Sequence, residues 1–297
     1  MRYRIMQEPH LPDSLQEIMS NKSGKKAKSK RTKATRETAV KRVIETVNNK
    51  LDEPLTMDEM AEIAYMSPFH FNRVFHQVTG LPPKQFLYAM RLETAKRLLL
   101  TTDKSVTEIC YEVGYNSLGT FTTRFTELVG LSPRELRYLA DEIHKFDWDK
   151  LYKTDWSNLN KSNSEQFIRG EIETPENFEG LIFIGLFEQM IPQSQPAIGT
   201  LLTRAGQYDL AMIPDGTYNL LVAALPRSED PLDYLLLDIS KLLVGVSETQ
   251  ILIENREVKG DTNLKIRSLQ VTDPPILIAL PSLLITELKR MTSDSFR

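Results

Sequence analysis

One pattern constrains this chain more than any other: a set of six residues that occurs twice. Ser67, Phe71, Phe75, Gly80, Leu81 and Pro83 return fifty positions later as Ser117, Phe121, Phe125, Gly130, Leu131 and Pro133. Just upstream, Met60-Ala61 returns as Ile109-Cys110 at a spacing of forty-nine, so the second copy carries one more residue in the turn between its helices. Each copy reads as a short helix, a tight turn and a second helix, the outline of a helix-turn-helix. Six matched positions restrict the region to a duplicated, all-helical unit.

Local signals around the repeat agree. Thr56 with Glu59, Ser105 with Glu108, and Ser132 with Glu135 each pair a hydroxyl with a carboxylate three residues on, the capping-box spacing. Ser67-Pro68 and Ser132-Pro133 put proline at the first helical position, where its missing N–H is no loss. Gly80 and Gly130 are helix stops. The spacing predicts seven helices, beginning near Thr38, Met57, Pro68, Pro82, Val106, Ser117 and Pro133. The one from Pro82 to Leu100 carries the stripe Tyr88, Leu92, Ala95, Leu99 and joins the two copies. Its length is roughly 28 Å at 1.5 Å per residue, against successive major grooves about 34 Å apart.

The second helix of each copy has two faces. In the first, Phe71, Val74, Phe75 and Val78 recur at core spacing and leave Phe69, Asn72, Arg73 and His76 outside. Asparagine can bond an adenine edge at two atoms and arginine a guanine edge, so this stripe suits base recognition. In the second, Phe121, Phe125 and Leu128 face inward, and Gly119, Thr122, Thr123 and Thr126 face out. Threonines reach phosphates and thymine methyls without two-point pairing. Arg124 takes the place of core Val74 and is expected to snorkel outward to a phosphate. The first copy is expected to supply most base reading and the second more backbone anchoring.

These residues carry a family resemblance. Leu55-Thr56-Met57-Asp58-Glu59-Met60-Ala61, Ser67-Pro68-Phe69-His70-Phe71-Asn72-Arg73-Val74-Phe75, Gly80, Arg91-Leu92, Ala95, Leu98-Leu99, Val113-Gly114-Tyr115 and Gly130-Leu131-Ser132-Pro133 resemble the DNA-binding domain of AraC/XylS-type transcription regulators. The resemblance covers residues 38–138. It implies two helix-turn-helix units on a long helix, with both recognition helices in the major groove of double-stranded DNA. By position it implies base contacts from Phe69, Asn72 and Arg73, and from Leu118, Gly119, Thr122 and Thr123. The family usually has arginine where this chain has Thr123, and here the arginine stands at 124.

The flanks differ in composition. Residues 1–37 include the run Lys22 to Lys33, whose like charges predict a disordered basic arm that adds phosphate contacts. Residues 1–38 carry a net +6, residues 39–144 a net −2 and residues 145–297 a net −7, so only one end invites an anionic partner. After the domain at 38–140, residues 141–179 read as a polar linker in which Trp148, Tyr152 and Trp156 form one helical stripe that docks onto a neighbour.

From 180 to 290 the pattern is β. Leu181–Leu186 and Thr217–Leu225 are apolar runs, the second entered through the turn Pro214-Asp215-Gly216. Shorter candidates are Ala197–Thr203, Gln207–Met212, Gln250–Glu254, Asn263–Arg267 and Ile276–Leu280, with a helical insertion at Pro231–Leu243. The expectation is an antiparallel β-sandwich of about seven strands behind an all-α double helix-turn-helix domain. Ala205–Leu210 and Ile213–Val222 resemble the transthyretin-like sandwich of carboxypeptidase regulatory domains, which implies a binding or assembly module.

Other classes find little support. Cys110 is the one cysteine, placed like core Ala61, and the histidines at 10, 70, 76 and 144 have no metal-ligand spacing. An enzyme is not expected, nor a metal or cofactor. The longest apolar candidate for a membrane span, Ile276–Ile285, is broken by Pro281, and Met1–Arg4 opens no secretory signal. The reading is a soluble cytoplasmic regulator of transcription. Three roles stand open for the β half: sensing a small-molecule effector; assembly through a second copy or RNA polymerase; and autoinhibition by folding onto the basic arm.

Overall fold

The capping signals fold as read. In the computed structural model, which describes residues 32–153, 167–175, 178–211, 213–238 and 240–281, a first helix α1 covers 32–49. It is followed by α2 (Met57–Ile63), α3 (Pro68–Thr79), α4 (Pro83–Thr101), α5 (Val106–Glu112), α6 (Leu118–Val129) and α7 (Pro133–Glu142). The side chains of Thr56, Ser105 and Ser132 each accept a bond from the N–H of the third residue on, whose carboxylate accepts one from the cap N–H. Ser67 makes no such side-chain bond, and α3 starts on Pro68 alone. Gly80 and Gly130 end α3 and α6 at φ 78° and 86°.

Two helical expectations need correction. The predicted start of the first helix at Thr38 is six residues late, since the helix runs from 32 into what was read as the disordered arm. Its buried stripe, Ala39, Val40, Val43, Ile44 and Val47, begins only at 39. The turns before it extend the helix as a solvated segment with no apolar period to reveal it. The rest of the arm, 1–31, lies outside the described residues. Within the joining helix, Leu92, Ala95 and Leu99 are buried as expected, but Tyr88 is 37% exposed.

The second half is built from β1 (Phe167–Glu173), β2 (Gly180–Phe187), β3 (Ile198–Leu202), β4 (Gly206–Ala211), β5 (Gly216–Pro226), β6 (Leu243–Val246), β7 (Ile251–Glu254), β8 (Glu257–Lys259), β9 (Leu264–Lys265) and β10 (Arg267–Ser268). A three-stranded sheet runs β4-β1-β9, and a larger one runs β10-β6-β5-β2-β3, with β7 paired to β5 and β8 to β7. Ile168, Ile172, Tyr208 and Leu210 pack against Ile182, Ile184, Leu220 and Val222 between the two sheets. The sandwich is therefore present, with more strands than the seven expected. It starts inside the predicted linker at β1, and one of its pairings, β1 with β9, is parallel. Helix α8 (Trp148–Lys153) precedes the sheets, and the helical insertion is short, with α9 covering only Asp233–Leu236.

The apolar runs of β2 and β5 have a second cause beyond the sandwich core. Leu181, Phe183, Ala223 and Leu225 point to the opposite face, against Ile276, Ile278 and Leu280. A strand covered on both faces reads as a continuous apolar run. Ile276–Leu280 itself was expected to be a strand and is not one, although all five residues are buried. Pro274, Pro275 and Pro281 flank it, and proline cannot donate to a ladder. The segment instead runs between the halves: Leu277 and Ala279 join Ile191 and Leu235 in the helical core.

The linker docks by its aromatics. After a 3-10 turn at Ile143–Lys145, α8 (Trp148–Lys153) brings Trp148 onto Tyr234 of α9 with ring centroids 4.6 Å apart. Trp148 Nε1 donates to Ile143 O, and the hydroxyls of Tyr152 and Tyr234 bond each other. Trp156, the third residue of the predicted stripe, lies outside the described residues.

Candidate nucleic-acid interface

The repeat holds at the level of single hydrogen bonds. In the first turn the Met66 N–H donates to Ala61 O at 3.0 Å, and in the second the Tyr115 N–H donates to Cys110 O at 3.0 Å. Both turns pass through the left-handed region at the matched position, on Gly114 (φ 81°) and on Tyr65 (φ 56°). A tyrosine there carries about 1 kcal/mol or more of strain. Its side chain is 86% exposed, with the Arg42 guanidinium 5.0 Å from the ring centre.

The turns aim α3 and α6 outward. Phe71, Val74 and Phe75 are buried and Val78 packs partly against them. Phe75 meets the edges of Phe71 and Phe86, each at 5.4 Å. On the other face Phe69, Asn72, Arg73 and His76 are all exposed, Phe69 at 83%. Among the described residues Arg73 has no carboxylate partner and Asn72 no side-chain hydrogen bond. This is the arrangement that base reading requires.

On α6, Phe121 and Phe125 are buried, and Leu118, Gly119 and Thr123 are exposed, while Thr122 is half-buried. Arg124 is exposed but does not extend freely as expected: its guanidinium lies 4.9 Å over the ring of Tyr88 on α4. The cation–π contact accounts for the surface position of Tyr88 and ties α6 to the joining helix.

A buried arginine braces the two units. Arg91 of α4 donates to Gly114 O at 3.0 Å in the second turn and to Glu53 O at 2.9 Å ahead of α2. Burial pulls its guanidinium below the ordinary arginine range. Cys110 is buried, burial pushes its thiol up, and its sulfur faces Tyr115 O.

Residues 60–138 match the model of the helix-turn-helix domain family. This segment is an AraC-type DNA-binding domain. The chain is similar to an HTH-type transcriptional regulator, YobQ, of Bacillus subtilis (strain 168), at 33% identity over 31% of this chain and 38% of that protein. It is also similar to the bifunctional transcriptional activator/DNA repair enzyme AdaA of the same organism, at 28% identity over 33% of this chain and 46% of that protein. A solved AraC-type regulator from Chromobacterium violaceum aligns at 26% identity over 35% of this chain and 92% of that one, with a TM-score of 0.34. The chain thus spans less than half the length of these two curated relatives.

The AraC-type domain does not stand alone. Sequence reasoning missed three features beside it: the Arg91 brace, a buried Lys96 on α4 that donates to Ile276 O at 2.9 Å, and the loop after β2 that reaches α6. An arginine and a lysine inside an otherwise apolar helix face were the only marks the sequence offered. A cleft of about 810 Å³ also lies between the halves, with Lys33, Arg36 and Lys41 of α1 on one wall and Arg267 and Asp273 on the other.

Proposed function

We propose that this chain is a sequence-specific DNA-binding transcription regulator that reads two adjacent major grooves, one with each recognition helix. What supports the reading most is the pair Asn72 and Arg73 on α3, exposed and without a side-chain partner among the described residues. Phe69 and His76 flank them, and α6 contributes Leu118, Gly119, Thr122, Thr123 and Arg124 with more weight on backbone anchoring. The chain acts as a regulator and not as an enzyme, a reading supported by the burial of its one thiol. Its place of action is the cytoplasm, with the DNA. The test is in vitro selection of duplexes by the full chain, followed by Arg73→Ala. That change should weaken specific binding by about 1–3 kcal/mol and relax preference at one base position. Unchanged affinity and preference would remove Arg73 from the interface.

The C-terminal half modulates this binding. Its Ile191, Leu235, Leu277 and Ala279 share a core with the helical half, so a change in one half is felt by the other. A small anionic effector has a place beside Lys33, Arg36 and Lys41 in the cleft, whose other charged groups are Glu37 and the Arg267–Asp273 ion pair, and this supports sensing over assembly through RNA polymerase or a second copy.

The basic arm adds phosphate contacts. Because α1 begins at 32, the informative deletion is of residues 1–31. It should flatten the dependence of DNA affinity on salt while leaving the selected sequence unchanged. A shifted motif would mean that the arm enters a groove.

A further inference from the structure

The last carbonyls of a helix have no partner within it and need donors from elsewhere. In α6 they find them across the boundary between the halves. The Ser194 N–H donates to Leu128 O at 2.7 Å, and the Ala279 N–H donates to Val129 O at 3.1 Å. Ser194 Oγ donates to Glu127 O at 2.7 Å. Four residues earlier in the same loop, Met190 lies against Gly80, the cap of α3, with side-chain carbons 3.6 Å from where a Cβ would stand.

This loop is held in turn. Pro192 O accepts from the N–H groups of Leu277 and Ile278 at 3.0 and 3.1 Å, and Ile276 O accepts from Lys96 of α4. Lys96 is only 2% exposed, and a buried ammonium is tolerated only where it is bonded. The contacts close a circuit from the joining helix through 276–279 to the loop, and from the loop to the ends of both recognition helices.

We propose that the β half is a gauge that fixes the separation and relative angle of the two recognition helices, with Ser194 and Met190 as positioning residues. The inference rests on the reading that both units engage DNA. A change of one base pair between half-sites moves the second by about 3.4 Å and turns it by roughly 35°. A rigid pair of helices rejects that change, and a loose pair follows it.

Ser194 supplies a clean test because it sits at φ 58°. Glycine keeps that conformation and the N–H donor, whereas proline can adopt neither. The full chain first selects its bipartite duplex, and binding is then measured with one base pair inserted or removed between the half-sites. The wild type should lose at least about tenfold, as linked modules do when geometry blocks joint engagement. Ser194→Gly should keep most of that penalty, and Ser194→Pro should reduce it at least threefold by the same reasoning. Met190→Ala, which trims only the α3 contact, should reduce it in part and serves if the proline variant fails to fold. Equal penalties in the wild type, Met190→Ala and a folded Ser194→Pro would overturn the gauge alone. Selection of a single half-site by the wild type would overturn the two-unit reading and the gauge with it.

Discussion

Gly114→Ala should destabilise the helical half by about 3–5 kcal/mol, whereas Gly130→Ala should cost only about 1–2 kcal/mol. Both glycines hold a left-handed backbone, at φ 81° and 86°, so the conformational penalty for alanine is similar. The surroundings differ. A methyl at Gly130 would meet nothing within 4 Å. One at Gly114 would stand 2.4 Å from the Leu51 carbonyl oxygen and 2.7 Å from an Arg91 guanidinium nitrogen. Backbone must move, and Arg91 loses one or both of the carbonyls that it holds between the units. The check is thermal unfolding of the two variants followed by far-UV circular dichroism. Equal losses would mean that the Arg91 brace carries no weight.

Phe75→Ala and Phe69→Ala should separate folding from binding on a single helix. Phe75 is 1% exposed and packs between Phe71 and Phe86, so truncating it should cost about 3–5 kcal/mol. Phe69 is 83% exposed and should change stability by no more than about 0.5 kcal/mol. Its loss should instead weaken binding to the selected duplex several-fold. Urea denaturation and a binding titration on each variant decide the matter. A Phe69→Ala protein as unstable as Phe75→Ala would mean that the register of α3 is wrong by half a turn.

The helical half was legible because its instructions are local. A capping box needs two residues three apart, and Thr56, Ser105 and Ser132 each close one with Glu59, Glu108 and Glu135. The inward stripes of α3 and α6 repeat within a dozen residues, and their complements include the exposed Asn72 and Arg73. Where apolar periodicity is missing the sequence is silent: the first turns of α1 carry no buried stripe before Ala39, so their composition matches that of a disordered arm. Where one residue answers to two demands, spacing alone misleads. Tyr88 fitted a core stripe by spacing but is drawn to the surface beneath Arg124.

In the β half, apolar runs marked β2 and β5 but not their surroundings. The same leucines and isoleucines serve a strand with one covered face or two, and only the packing of Ile276–Leu280 against Leu181, Phe183 and Leu225 distinguishes them. Three prolines around that segment carried the information that it could not join a sheet, and the apolar pattern outweighed them.

The amino-acid order alone thus determined the duplicated helical unit, its caps and the outward face of α3. Short-range side-chain chemistry writes each of these into neighbouring positions. Tertiary structure alone decided that the β half grips the end of α6, through Ser194 on Glu127 and Leu128 and Ala279 on Val129, and sets Met190 against Gly80 at the end of α3. Two of those three bonds join main chain to main chain. Every residue except proline carries the same N–H and C=O, so a contact of that kind leaves no mark in the identity of the side chains that make it.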